Sequence, residues 1–118
     1  MKDSREINAN DMKKILGTIQ DSKHKKIIIT HGTYTMPDTS RYLKANLKRK
    51  DQTIILTGSF IPLTGFSPTD APFNLGYAIS KVQDLPAGIY IAMNGKIFKP
   101  EEVIKMLSEG KFGSIFTQ

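Results

Sequence analysis

Three short apolar segments constrain the fold of this chain more than any other feature. Ile27–Ile29 is a run of β-branched residues, and similar apolar segments occupy residues 53–56 and 89–93. Their apolar residues do not alternate with polar ones, and such continuous runs are typical of strands covered on both faces of a parallel sheet. Apolar residues at helical spacing fill the segments between them and residues 11–21 before the first. This alternation indicates an α/β fold with crossover connections.

The predicted order is helix, strand, helix, strand, helix, strand, a hairpin and a final helix. The second helix is predicted to run from Pro37 to about Arg49, and the third over residues 71–82. The third helix offers four apolar residues for burial, which are Phe73, Ala78, Ile79 and Val82. Asn94-Gly95 is a strong hairpin signal, so residues 96–98 are predicted to fold back on the third strand. Pro100 is predicted to open a last short helix that ends at Leu107.

Composition narrows the class of protein. The 118 residues are one domain's worth, and the absence of cysteine excludes disulfides and thiolate metal sites. The polar first ten residues do not resemble a signal peptide, so we expect a cytoplasmic protein with no membrane partner. The net charge of +6 comes largely from lysines near predicted helix ends, where they keep the surface solvated. Nonspecific nucleic-acid binding stays open as the alternative, although no aromatic residues interleave with the lysines.

The sharpest local feature is the polar loop of residues 30–36, which follows the first strand and precedes a helix. Ligands bind beyond the carboxyl ends of strands in such sheets, so Thr33 would present a hydroxyl at the functional edge. A lysine with a lowered pKa could activate that hydroxyl as a nucleophile. The alternative is that Thr33 and Thr35 only cap the next helix. His31 has no carboxylate partner at a recognisable spacing, which favours a structural role over a base.

Two polar residues near the third helix also favour structural roles. Asp70 precedes the helix and is predicted to be its N-cap. Asn74 lies one turn further along, where its amide could hold the preceding loop by hydrogen bonds. Neither residue is predicted to be catalytic.

Four sequence blocks together resemble the bacterial-type L-asparaginase family. Residues 29–36 read ITHGTYTM, close to the family's ITHGTDTM motif, and residues 54–59 resemble its next strand and glycine turn. Residues 69–75 are similar to its ADGPFNL helix start, and residues 88–95 to the strand that ends in Met-Asn. The resemblance implies a three-layer, Rossmann-like, mostly parallel sheet of the asparaginase N-terminal-domain type. The spelling of residues 63–66 is most similar to the short, single-domain members, so residues 1–118 are expected to form one domain.

The family's functional residues can be carried over position by position. The resemblance places the second catalytic threonine at Thr33 and the catalytic lysine at Lys105. It also implies substrate contacts from Gly32, Tyr34 and Ser59, and, through a looser match, a contact of Ser4 with the substrate's α-carboxylate. Neither a metal nor a cofactor is implied. The implied partners are an amino-acid amide or carboxylate and further copies of the chain in a homo-oligomer.

Two departures from the family pattern bear on activity. The TGGTI motif with its nucleophile has no counterpart before Lys2, so we expect the domain to lack that first strand and loop. Tyr34 stands where the family has an aspartate, and a neutral phenol cannot pair with the substrate's α-ammonium group as a carboxylate does. The expected function is therefore an asparaginase-like amidohydrolase, impaired in this chain. The alternative is a non-catalytic module that keeps the fold and binds a small carboxylate.

Overall fold

The computed structural model describes residues 7–59, 70–106 and 111–114. Three helices lie within them, namely α1 (Ala9–Asp21), α2 (Met36–Asn46) and α3 (Ala71–Asp84). Six strands are β1 (Lys26–Thr30), β2 (Thr53–Thr57), β3 (Gly88–Met93), β4 (Lys96–Phe98), β5 (Val103–Met106) and β6 (Lys111–Ser114). None of the described helices is long and apolar enough to cross a membrane.

The main sheet has the strand order β1-β2-β3-β4. The first three strands are parallel, with Ile28 opposite Ile55 and Ile55 opposite Tyr90. The fourth strand returns antiparallel to β3. Asn94 and Gly95 adopt φ angles of 53° and 73°, the positive values that a tight hairpin turn requires. Both the parallel sheet and the predicted hairpin are confirmed.

Helices cover the sheet on both faces, which makes the fold three-layered. On one face, alternate residues of the strands form a core with α1 and α2, centred on Leu43, Leu56 and Ile91. On the other face, the intervening residues pack against Ala78 and Val82 of α3. Because successive strand residues point to opposite faces, the continuous apolar runs supply both cores at once.

The two crossover connections of the sheet must have opposite hands. The chain steps from β1 to β2 and from β2 to β3 in the same direction across the sheet. Nevertheless α2, which makes the first connection, packs on one face, and α3, which makes the second, packs on the other. One of the two connections is therefore left-handed, an arrangement found in only about 2% of parallel crossovers.

The second helix ends earlier than predicted. Its last residue is Asn46, and the chain leaves the helix at the buried Leu47. Arg49 was predicted to be helical, but its guanidinium instead donates hydrogen bonds to the carbonyl oxygens of Gln20 and Ser22, and to the Asp51 carboxylate. These contacts hold the segment after α2 against the end of α1, so further helical turns cannot form.

The burial predicted for α3 is half right. Ala78 and Val82 are buried, but Phe73 and Ile79 are 60% and 50% exposed. The buried face of α3 is a narrow stripe of residues four apart that begins at Asn74. Phe73 and Ile79 lie outside that stripe because a polar residue, Asn74, sets the rotational position of the helix.

The predicted last helix is wrong. Residues 99–102 form a turn, and Val103 begins β5, which pairs antiparallel with β6. Pro100 is fully buried, and the Arg41 side chain on α2 donates hydrogen bonds to the carbonyl oxygens of Pro100 and Val103. Those carbonyls are therefore committed to a side chain rather than to helical hydrogen bonds. The two β-branched residues 103 and 104 also favour a strand.

Candidate active site

A cavity opens where β1 and β2 end. Its volume is about 540 Å³, which is large enough for a small metabolite. The residues that line it come from both strand ends and from the start of α3, and they are Thr30, His31, Gly32, Thr57, Gly58, Ser59, Ala71, Pro72 and Leu75. This is the edge of a parallel sheet at which ligands bind, so the cavity lies where the sequence predicted the functional edge.

The two strand ends are held together at the floor of this cavity. The backbone N–H of His31 donates to the carbonyl oxygen of Thr57 at 2.9 Å, which extends the β1–β2 ladder by one residue. A Cβ atom placed on Gly58 would lie 2.1 Å from the carbonyl oxygen of His31. Only glycine permits this close approach, so Gly58 is a packing requirement of the site.

His31 lines the cavity but is itself buried, and both of its ring nitrogens make hydrogen bonds. Its Nδ1 lies 2.6 Å from the carbonyl oxygen of Gly32, and its Nε2 lies 2.9 Å from the Thr39 hydroxyl. A carbonyl can only accept, so Nδ1 carries the proton and Nε2 accepts from Thr39 in the neutral ring. Burial lowers the pKa of His31, and the hydrogen bond to Gly32 opposes this only in part. This geometry supports the structural interpretation of His31.

Asn74 organises the carboxyl-terminal edge of the sheet. Its fully buried amide donates to the carbonyl oxygen of Gly58 and to the carboxylate of Asp70, at 2.9 and 2.8 Å. Its Oδ1 accepts from the backbone N–H of Asn94 at 2.9 Å, which ties the end of β3 to the same residue. The prediction that Asn74 holds the preceding loop is confirmed.

The predicted caps occupy their positions but do not act through their side chains. Asp70 is the N-cap residue of α3 and Thr35 that of α2, yet neither makes a side-chain capping hydrogen bond. The Asp70 carboxylate instead accepts from the Ser59 hydroxyl and the Asn74 amide. Asp70 thus joins the loop after β2 to α3. Its position before a helix predicted only a capping role.

The structure brings together only part of the predicted site. Gly32 and Ser59 lie in the cavity wall. Thr33 is half-buried and Tyr34 is 55% exposed, and both lie in the β1–α2 loop beside the cavity but not among its described lining residues. Lys105 lies on β5, with its side chain beyond what is described, and Ser4 falls outside the described residues.

The sequence did not single out two polar residues: Thr39, which contacts His31 of the cavity, and Arg41, which contacts the start of the strand that carries Lys105. Each lies on α2, among residues whose spacing predicts only a helix. Thr39 contacts His31 eight positions away, and Arg41 reaches a segment about sixty positions away. No local pattern marks contacts of this range.

Comparison with known proteins identifies the family. The family profile described as "Asparaginase, N-terminal" matches residues 1–114. The L-asparaginase of Thermococcus kodakarensis is 38% identical over 84 residues, which cover 71% of this chain and 25% of that protein. A glutaminase-asparaginase of Acinetobacter glutaminasificans is 37% identical over 82 residues, or 67% and 24% of the two chains. This chain therefore spans about a quarter of the length of these relatives.

A solved structure agrees with the sequence comparisons. The crystal structure of a "Probable Cytoplasmic L-asparaginase from Campylobacter jejuni" superposes with a TM-score of 0.85 at 30% identity. The match covers 96% of this chain and 39% of that one. The predicted three-layer α/β fold and the resemblance in sequence are thus both confirmed, and the chain belongs to the asparaginase family, matching its amino-terminal domain.

Proposed function

We propose that this chain carries the substrate cavity of an asparaginase-type amidohydrolase, which hydrolyses the side-chain amide of L-asparagine or a related amide to the acid and ammonia. The observation that carries the proposal is the cavity at the ends of β1 and β2, with Gly32 and Ser59 in its wall, in a chain of the asparaginase family. We also propose that residues 1–118 form a single domain.

In this proposal Thr33, which the resemblance places at the family's second catalytic threonine, itself takes the nucleophile's role, and its hydroxyl attacks the carbon of the substrate's carboxamide. The neutral amine of Lys105 takes the hydroxyl proton and passes it to the leaving nitrogen, which departs as ammonia. Water then hydrolyses the threonine ester and restores the hydroxyl. The start of α2, three residues after Thr33, supports charge stabilisation because backbone N–H groups at a helix start favour a developing oxyanion. Gly32, Ser59 and Ser4 would contact the bound substrate.

The wider properties of the protein belong to the same proposal. Relatives described as glutaminase-asparaginases favour a substrate range that includes more than one amide. We propose a homo-oligomer that needs no cofactor or metal. A cytoplasmic location stays a prediction, because the Campylobacter protein is described as cytoplasmic and a Haemophilus influenzae relative at 33% identity as periplasmic.

Ammonia release from asparagine and from glutamine by the purified chain tests the proposal. Thr33→Ala should lower the rate at least about a thousandfold because the nucleophile is gone, while Thr33→Ser should keep measurable activity. Lys105→Met should be nearly as damaging as Thr33→Ala. Thr18→Ala is the matched control, since Thr18 lies on the exposed side of α1 and bonds only its own helix at Lys14. Equal rates for Thr33→Ala and wild type would refute the role of Thr33.

A non-catalytic carboxylate-binding module is the second candidate, and Tyr34 favours it. The family's motif has an aspartate at this position, whereas Tyr34 is 55% exposed and ends in a phenol hydroxyl rather than a carboxylate. Calorimetric titration with aspartate and succinate separates the candidates, because binding without ammonia release is the signature of the module. Tyr34→Asp should tighten binding of aspartate relative to succinate, which lacks an ammonium group. If the affinity for aspartate relative to succinate were the same in Tyr34→Asp and wild type, residue 34 would not contact the α-amino group of the ligand.

A further inference from the structure

The guanidinium of Arg41, a half-exposed side chain on α2, hydrogen-bonds to two main-chain carbonyl oxygens of a distant segment. Its Nε donates to the carbonyl oxygen of Pro100 at 3.0 Å, and its Nη2 donates to the carbonyl oxygen of Val103. The Asp38 carboxylate is more distant, with 3.8 Å between Arg41 Nη1 and Asp38 Oδ1. The rigid fork of the guanidinium thus spans the turn before β5 and the first residue of β5.

The β5–β6 hairpin depends on such contacts for its position. Among the described residues, β5 hydrogen-bonds to β6 and not to the main sheet. A two-stranded hairpin is at best marginally stable in water by itself. What fixes its start to the body of the protein is the burial of Pro100 and Val103, together with the two hydrogen bonds from Arg41.

The segment that Arg41 holds carries Lys105. Lys105 lies two positions after Val103, which is about 7 Å along a strand. The helix that carries Arg41 begins three residues after Thr33. One helix is therefore linked covalently to the Thr33 loop and by hydrogen bonds to the Lys105 strand.

We propose that Arg41 is a positioning residue that fixes the strand bearing Lys105 relative to the loop bearing Thr33. The proposal rests on the proposed function, which assigns chemistry to those two residues. Arg41 touches no reacting atom. It acts through the main chain of β5, and its loss lets the start of β5 move while leaving the main sheet intact.

Arg49 provides a matched control within the same chain. Its guanidinium also donates to two main-chain carbonyls, those of Gln20 and Ser22, and it pairs with Asp51. It does so just before β2 begins, at the end of the sheet opposite the cavity. A general loss of stability should follow from either substitution, whereas loosening of β5 should follow only from the loss of Arg41.

The test compares Arg41→Met, Arg41→Lys and Arg49→Met in the full chain by amide hydrogen exchange. We expect Arg41→Met to accelerate exchange of the amides of residues 103–106 about tenfold more than Arg49→Met does. The reason is that the hydrogen bonds to Val103, the first residue of this segment, and to Pro100, in the turn before it, are lost. Arg41→Lys should give an intermediate effect, because an ammonium cannot span both carbonyls as the fork does. Equal acceleration in Arg41→Met and Arg49→Met would overturn the proposal.

A second readout follows Lys105 without relying on activity. Acetylation of Lys105 by acetic anhydride, followed by peptide mass spectrometry over a series of pH values, reports the environment of its amine. Arg41→Met should move this pH profile, while Arg49→Met should leave it at the wild-type position. An unmoved profile in Arg41→Met would overturn the positioning role. If the wild-type chain releases no ammonia but Arg41→Met still moves the pH profile, the proposed function is contradicted while the positioning role of Arg41 is supported.

Discussion

Strands β1 and β2 have nearly the same sequence but very different surroundings. The first reads KIIIT and the second TIILT, and they pair residue for residue from Lys26 opposite Thr53 to Thr30 opposite Thr57. Every residue of β2 is buried, whereas the three isoleucines of β1 are half-buried and both its ends are exposed. Since β2 has strands on both sides and β1 is the outermost strand of the described sheet, position rather than composition sets the burial.

The difference in burial between β1 and β2 is tested most strongly by truncating one pair of facing isoleucines to alanine. Ile28 and Ile55 lie opposite each other and face the same core as α3. We expect Ile55→Ala to lower the free energy of unfolding by about 3–4 kcal/mol, because Ile55 is fully buried, and Ile28→Ala by about 1–2 kcal/mol. Urea denaturation measures both. Equal losses would mean that β1 is covered as fully as β2.

The junction of the two strand ends should show a smaller effect. Gly58→Ala places a Cβ atom against the carbonyl oxygen of His31, and backbone cannot yield as a flexible side chain does. We expect a loss of about 1–3 kcal/mol in the free energy of unfolding. Gly17→Ala is the control, because a Cβ atom there meets nothing within 4 Å and alanine favours the helix. If Gly58→Ala proved as stable as wild type, the strand ends would be more loosely joined than described.

The residue that follows β1 should make stability depend on pH. Burial lowers the pKa of His31, so below its ordinary value of about 6.5 the unfolded chain takes up a proton that the folded chain resists. The free energy of unfolding should therefore fall as the pH drops from about 6.5 toward the folded-state pKa. Chemical denaturation across this range should show a flatter dependence in His31→Gln. His24→Gln, which changes the exposed histidine, should keep the wild-type slope.

Features that depend on short stretches of chain were predictable. The three apolar runs predicted β1, β2 and β3, and Asn94-Gly95 predicted the turn into β4, because a positive φ angle at both positions is a local requirement. The strand assignments also predicted the functional edge at which the cavity opens, since the carboxyl ends of parallel strands share one edge. The roles of Thr33 and Lys105 remain predictions.

Features that depend on distant contacts were missed. Residues 100–107 have ordinary helical composition, but the Pro100 and Val103 carbonyls bind Arg41, and the chain continues as β5. Phe73 was expected to be buried, yet Asn74 bonds to Gly58, Asp70 and Asn94 and turns the helix so that Phe73 faces outward. A polar residue that bonds its own N-cap and the ends of two strands outweighs an apolar pattern.

The sequence by itself determined the kinds of elements, their order and the family, because strand propensity, turn chemistry and motif spelling are properties of neighbouring residues. Only the tertiary structure decided which of two similar strands is buried, on which face each helix packs and what the polar side chains contact. Those outcomes depend on partners tens of residues away. In particular, the conformational preferences of neighbouring residues do not reveal that one crossover connection is right-handed and the other left-handed. Arg41 illustrates both cases: neighbouring residues predict that it lies on a helix, whereas its contact with β5 follows only from the tertiary structure.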